Sequence, residues 1–408
     1  MREKASAPAT RASLHAMLNY AWNTKVFIST EAMEVTGLTR STAISALDEL
    51  IDIGLLRELP NARADGGGYS KGRPSRRFEF SADSAVVIGM DAGRSHLTTT
   101  VANLRGTPIA HETVELHAGH EGANERRAAV QGAIDSALKA AGRTRRAVLS
   151  VCIGVPAPVD SDGSSPHHDD GFWRRMNPDL CGLLEAWAPI VRIENDASLA
   201  AVAEGAVGEA VGLRNFVVLL AGNRLGAGVV VDGHLLRGTH GGVGEMRAFD
   251  YVAGVDSAAG IGLQLTDWVR QAAAAGQIPS GHAVEELPSD RLTGRLVLEL
   301  AQTGDPFSIS LIDRAGAMLS RITAVFGSLY DPERVIVAGA IADGLAEVLG
   351  VARALLPAEV DLPAPDLALS NLGAASVVTG AVAAAIEAAR AEVLRVGLGD
   401  ASAHRVPA

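Results

Sequence analysis

The 408-residue sequence reads as an α/β protein of two related lobes, preceded by a small winged helix-turn-helix domain. Three observations lead to that fold class. An apolar strand, a glycine-bearing turn and a second strand occur at 85–106, and the pattern is echoed at 216–233. The first eighty residues hold helix, glycine turn, helix and then an arginine-rich hairpin. The chain is also too long for a single hydrophobic core, so two or three domains are expected.

Composition sets the bounds on function. The formal net charge of −11 is uneven: residues 1–80 net +2 and the remainder −13. A polyanionic partner would therefore meet the N-terminal part. The 4 Lys against 32 Arg fit an Ala- and Arg-rich coding bias, so arginine abundance by itself says little about nucleic acid. No apolar run reaches the roughly 18 residues of a membrane span, and Met1 to Ser13 lacks the apolar stretch of a signal peptide. Cys152 and Cys181 read as two free thiols in a reducing, cytoplasmic setting.

In order along the chain, Leu14, Met17, Leu18 and Ala21 share one face of a first helix. Ser29 or Thr30 with Glu31 opens a second helix that stops at Gly37. Thr39 is placed to cap a third, whose buried stripe is Ile44, Leu47, Leu50 and Ile51. In helix-turn-helix geometry the start of that third helix enters the major groove, so Arg40, Ser41, Thr42 and Ser45 would face bases or phosphates. The hairpin from Arg57 to Phe80 carries Arg57, Arg63, Lys71, Arg73, Arg76 and Arg77 against three acids, a net of +3. Lys71, Arg73 and Arg76 are its expected phosphate contacts. The bland alternative is a protein-interaction module with a solvated basic loop.

Ala85 to Met90 is a buried strand that ends in Asp91-Ala92-Gly93-Arg94-Ser95, followed by a strand from Thr98 to Val101. Glu121 to Arg143 reads as an amphipathic helix with a solvated charged face, and Ala147 to Gly154 as a further buried strand. His167, His168, Asp169 and Asp170 read as a solvated polar loop in preference to a metal site, and Trp173 as either a stacking wall or core packing. A short apolar run then delivers Glu194-Asn195-Asp196 to the start of an Ala-rich helix, where Asp196 would cap a helix beginning at Ala197. A carboxylate at a strand end is also where a general base sits in an α/β cleft. Phe216 to Leu220 leads into Gly222-Asn223-Arg224-Leu225-Gly226-Ala227-Gly228, and the segment closes with Gly241-Gly242-Val243-Gly244-Glu245. Beyond it, Leu296 to Tyr330 is helical with a break near Gly304, and Ala374 to Val396 forms a long closing helix.

Taken together these motifs resemble the ROK family, which groups repressors, open reading frames and sugar kinases on an actin-like (ribonuclease H-like) fold. The resemblance divides the chain into a winged helix-turn-helix domain at 1–80 and a first lobe at 81–198 with 380–396. A second lobe then spans 199–379, and 397–408 is a tail. Asp91, Gly93 and Ser95 match the family's first phosphate hairpin, and Gly222, Gly226 and Gly228 its second. Asn195, Asp196 and Glu245 match its sugar-binding residues, and Asn177 lies in the segment bordering the sugar. In the family's kinases the aspartate matched by Asp196 is the base that deprotonates the sugar hydroxyl; in its repressors the same pair only binds effector.

Two departures favour a sensor. Arg224 replaces a glycine of the second phosphate loop and should disturb the backbone nest for ATP, unless the guanidinium itself grips phosphate. The family's zinc cluster is missing: Met246-Arg247-Ala248 follow Glu245, with no Cys or His between Gly241 and Ser280. No metal, cofactor or catalytic residue is therefore expected. The expectation is a regulator, a repressor in sign, that binds operator DNA, responds to a sugar or sugar-derived effector and forms a homodimer or homotetramer. The alternatives are an ATP-dependent sugar kinase with an appended DNA-binding domain, and a regulator whose cleft serves only a protein partner.

Overall fold

The computed structural model describes residues 10–60, 76–116, 122–168 and 170–398. Arg63, Lys71, Arg73, Asp169 and the chain beyond Leu398 lie outside the described residues.

Three helices and a small sheet open the chain: α1 (Arg11–Asn23), β1 (Val26–Ile28), α2 (Ser29–Thr36), α3 (Arg40–Asp52), β2 (Leu56–Leu59) and β3 (Arg77–Phe80). The local signals act where the sequence puts them. Thr10 accepts from the Ser13 amide at 3.3 Å and starts α1, and Glu31 accepts from the Ile28 amide at 3.0 Å at the head of α2. Gly37 ends α2 in the left-handed region with φ 67°, and Thr39 is the N-cap of α3. The buried stripe of α3 is Ala43, Ala46, Leu47 and Leu50; Ile44 and Ile51 sit half-buried at its edges. The strand β1 has no clear sequence signal, yet it pairs antiparallel with β3 and gives the wing sheet the order β1-β3-β2.

Two five-stranded sheets follow. The first is built from β4 (Val86–Ala92), β5 (His96–Asn103), β6 (Pro108–Glu115), β7 (Val148–Val155) and β8 (Ile190–Asn195). Its helices are α4 (Ala123–Ala140), α5 (Phe172–Met176) and α6 (Leu180–Glu185), and α7 (Asp196–Val207) leaves the end of β8. The second contains β9 (Phe216–Ala221), β10 (Leu225–Val231), β11 (His234–Leu235), β12 (Arg334–Ala338) and β13 (Asp366–Leu369). With it go α8 (Ile261–Ala274), α9 (Gly294–Gln302), α10 (Pro306–Tyr330) and α11 (Ala346–Leu355), and α12 (Ser376–Val396) closes the chain.

The strand orders are β6-β5-β4-β7-β8 and β11-β10-β9-β12-β13. Numbered from each lobe's own first strand, both read 3-2-1-4-5. In both, the first two strands are antiparallel and the fourth and fifth run parallel to the first. The echo between the two hairpins is thus a duplicated fold. Ligands of open α/β sheets collect beyond the carboxyl ends of the parallel strands, and here those ends carry Asp91 and Asn195.

Helices α7 and α12 lie between the sheets. Each packs on the other; α7 also covers β9 and β10, while α12 covers β4 and β7. Their approach is close because the facing residues are small: a Cβ on Gly380 would stand 1.9 Å from the Leu199 carbonyl oxygen. Among the described residues no helix is long and apolar enough to cross a membrane.

Candidate ligand cleft and nucleic-acid interface

The cleft begins at the junction of β8 and α7. Asn195, not Asp196, caps the helix: its Oδ1 accepts from the Ser198 amide at 3.1 Å while its Nδ2 donates to the Ala157 carbonyl at 3.2 Å. Asp196 is the first helical residue, and its Oδ1 accepts from the Ala197 amide at 2.8 Å. That one-residue shift leaves Asp196 facing the cleft instead of closing the helix. Part of its surface stays open to solvent, yet protein crowds it on the remaining sides. Burial, and then the carboxylates of Asp91 and Glu245, lift its pKa to about 7; the bond from Ala197 opposes them.

Asp91 is 8% exposed at the end of β4. Its Oδ2 lies 3.0 Å from Nε2 of His96, whose ring also lies where a side chain on Gly93 would project. That hydrogen bond raises the pKa of His96 against the effect of its burial. The expectation that the charges of α4 form a solvated face fails at Arg126, which is 1% exposed. Its guanidinium donates to the carbonyls of Ala92, Gly93 (2.9 Å) and Met176 (3.1 Å), tying the end of β4 to the end of α5. Burial holds its pKa down at about 10, with Asp91 pulling the other way. The first hairpin is therefore braced from below by Arg126, and its aspartate is covered by His96.

In the second hairpin the glycines sit differently from the sequence expectation. Gly226 and Gly228 are not in a loop but within β10, opposite Leu220 and Val218. A Cβ on Gly228 would meet the Ala197 carbonyl oxygen at 2.3 Å, so this glycine lets β10 lie against α7. Only Gly222, Asn223 and Arg224 form the turn, and residues 258–260 bond across it through Leu225 N–H to Ala258 O and Gly260 N–H to Asn223 O, both 2.9 Å.

Glu245 reaches the cleft from the other lobe. Its segment is held by a bridge to Gly226 and by the Ala227 amide, which donates to the Gly244 carbonyl at 3.0 Å. Burial raises the Glu245 pKa, with Arg224 and then His168 pulling it down. Arg224 therefore acts on the Glu245 side of the cleft. The lobes touch where Gly241 packs on the Val159 backbone, and Arg237 grips Glu194 through both carboxylate oxygens at 2.9–3.3 Å.

Asn177 is 5% exposed, and its Nδ2 donates to the Gly163 carbonyl and to Ser165 Oγ, each at 3.0 Å, pinning the 160–165 loop. His168, expected in a solvated polar loop, is held within that loop. Its Nδ1 bonds Asp170 Oδ1 at 2.8 Å and its ring lies 4.5 Å from that of Trp173, which packs half-buried on the core below. A histidine oriented by a carboxylate and an aromatic wall was legible only as a pair of loop histidines. Ser95 ends the turn before β5, and its carbonyl accepts from Leu116. No group of three or more candidate metal ligands occurs among the described residues.

At the N-terminal domain, Arg40 and Ser41 are exposed and Thr42 and Ser45 half-buried on the first turns of α3. Thr39 Oγ1 lies 2.9 Å from Thr42 Oγ1 and 3.3 Å from Ser41 Oγ. Arg76 is already engaged: it pairs with Asp48 at 2.8 Å and Glu58 at 2.9 Å and lies over the Phe78 ring. Those pairs raise its pKa further, and they reduce what it can offer a phosphate.

The doubled 3-2-1-4-5 sheets define an actin-like fold behind a winged helix-turn-helix. Residues 87–249 match the ROK family. The xylose repressor of Caldicellulosiruptor bescii is 25% identical over 225 residues, which is 54% of this chain and 54% of that one. The chain thus matches about half the length of that relative. A ROK family transcriptional regulator, described as a homologue of the E. coli MLC protein, superposes with TM-score 0.72 over 94% of this chain and 97% of its own, at 20% identity. A ROK family glucokinase from Streptomyces griseus, solved with glucose and AMPPNP, matches 74% of this chain and all of its own with TM-score 0.59 and 22% identity.

Proposed function

We propose that this chain is a transcriptional regulator that binds operator DNA through α3 and the wing and takes a sugar or sugar-derived effector between its lobes. The observation that carries this reading is the pairing, on one chain, of a winged helix-turn-helix with a kinase-like cleft whose phosphate side is obstructed. Covered by His96, Asp91 is a poor partner for Mg²⁺ and a γ-phosphate. The turn has shrunk to Gly222–Arg224, and the Leu225 amide beside it is already committed to the Ala258 carbonyl. The sugar side keeps its carboxylates. Asp196 and Glu245 can each accept from vicinal hydroxyls, while Asn195 and Asn177 hold the helix cap and the loop that frame them. His168 and Trp173 would supply the polar edge and the flat wall that pyranose rings favour. The name of the matched repressor supports xylose or a related aldose as the first effector to try. Repression as the sign of regulation, and a homodimer or homotetramer as the assembly, belong to the same reading.

A second reading, an ATP-dependent sugar kinase with an added DNA-binding domain, has one observation in its favour. A carboxyl poised near 7 at the end of β8 suits a general base. Thermal shifts with D-xylose, D-glucose and N-acetylglucosamine, each with and without Mg-ATP, separate the two. A sugar at about 100 times its Kd adds roughly 2.7 kcal/mol to the folded state. Equal stabilisation with and without nucleotide is the outcome expected of a sensor. Sugar-phosphate formation that disappears in Asp196→Asn would establish the kinase instead.

A further inference from the structure

The helix-turn-helix domain is fastened to the ROK domain by two arginines at one place, the C-terminal end of α1. From α12, Arg390 donates through Nε to Asn19 Oδ1 at 2.7 Å, through Nη2 to the Asn19 carbonyl at 3.2 Å and through Nη1 to Asn23 Oδ1 at 3.4 Å. From the β5–β6 turn, Arg105 donates to the carbonyls of Ala21 at 3.3 Å and Thr24 at 2.7 Å, with its guanidinium 5.3 Å from the Phe80 ring. The last carbonyls of a helix lack partners within it and carry the negative end of its dipole. Ala21 already accepts from the Thr24 amide and Asn19 from Asn23 Nδ2, each at 3.2 Å, so the cations brought from the other domain add a second donor to these carbonyls and complement the dipole. Behind them, residues of α1 (Met17, Leu18, Ala21) and of α12 (Ala385, Ala389, Val393) belong to one continuous buried cluster. Helix α1 packs in turn on α3.

We propose that Arg105 and Arg390 are positioning residues for DNA binding, fixing α1, and through it α3, to the helix that also packs on the cleft-bearing α7. This inference rests on the regulator reading above. Removing the clamp frees the orientation of α3 and disconnects it from the state of the cleft, without touching the ligand site.

The test uses the full chain, a duplex selected by the wild type from a random library, and D-xylose and D-glucose as probes. In Arg105→Ala/Arg390→Ala, duplex affinity should fall about tenfold, the loss of roughly one charge-assisted hydrogen bond. Amide exchange across α1 should rise, and the ratio of duplex affinities without and with sugar should collapse towards one. Sugar affinity, measured by calorimetry, should stay within twofold of wild type. Arg105→Lys/Arg390→Lys, which keeps the charge but loses the fork, should restore part of the duplex affinity. Unchanged duplex affinity in the alanine pair, or a sugar response as large as that of the wild type, overturns the proposal. Asp196→Asn separates the two claims: it should lose sugar binding and, with it, the sugar-dependent change in duplex affinity. If it keeps the sugar response, the cleft assignment fails and the clamp is judged on the ligand-free duplex affinity. A wild type that selects no duplex removes both.

Discussion

Replacing Asp196 by Asn should stabilise the protein at alkaline pH and do progressively less as the pH falls. Its carboxyl moves from an ordinary 3.8 to about 7 on folding because burial, Asp91 and Glu245 all disfavour its charge. A raised carboxyl binds its proton more tightly in the folded state, so its contribution to stability declines as pH rises from about 4 to about 7. Such a shift costs ~4 kcal/mol above pH 7 for a fully enclosed group, and about 2 kcal/mol where one side faces water. Asparagine keeps an Oδ1 for the Ala197 amide and carries no charge. The gain of Asp196→Asn over wild type should therefore be about 2 kcal/mol at pH 8, a Tm rise of roughly 4–8 °C for lobes of this size. At pH 5 it should be less than half of that, by the same linkage. Paired thermal melts at the two pH values, without ligand, decide the matter. A gain of the same size at both, or a loss at pH 8, would refute the coupling of Asp196 to its neighbouring carboxylates.

Arg126→Met should lower stability by about 2–4 kcal/mol, because three buried carbonyls lose their donor; chemical denaturation of the full chain measures it, and a change under 1 kcal/mol would mean that water replaces the guanidinium. Gly228→Ala places a methyl against the Ala197 carbonyl and should cost about 1–3 kcal/mol while weakening sugar binding with it. Glu245→Gln should reduce sugar affinity about tenfold if that carboxylate grips a hydroxyl, whereas His168→Ala should weaken it less and leave melting in the absence of sugar unchanged; calorimetry on both variants checks the order. Arg76→Ala should reduce the salt dependence of duplex binding by clearly less than the one unit expected of a free phosphate contact, since its guanidinium is already held by Asp48 and Glu58.

Much of this arrangement was readable in the sequence because it rests on local rules. Gly37 must end α2 and Thr39 must open α3 whatever lies around them, and apolar periodicity marks the faces they bury. The duplicated hairpin was visible for the same reason. Other features were set by contacts between distant segments, and periodicity carries no trace of those. Arg126 looks like any surface arginine of an amphipathic helix until three carbonyls from two other segments converge on it. Gly226 and Gly228 resemble phosphate-loop glycines, yet α7 passes over them. His96 falls before the strand expected at Thr98 to Val101, and only the turn at Gly93 brings its ring onto Asp91. Motif matching proposes the site residues; the fold decides which of them remain accessible.

That outcome bears on how such a cleft could act at a distance. Helix α7 is built largely of small residues, with Ala197, Ala200, Ala201 and Ala203 fully buried, so its middle turns are closely enclosed. It meets β10 at Gly228 and α12 at Gly380, each time backbone against backbone. Contacts of that kind have no side chain to change rotamer and absorb a displacement, and close-packed interiors transmit strain instead of dissipating it. At the far end of α7 the buried Glu204 accepts from Ser370 Oγ, in the segment that leads into α12. A ligand drawing Asp196 and Glu245 together would press on the N-terminus of α7, and the smallest rigid body able to respond is α7 together with α12. Its other end holds Arg390. If cleft closure and helix-turn-helix orientation are one coordinate, a variant that puts bulk between the two helices, such as Gly380→Val, should break sugar response and duplex binding together.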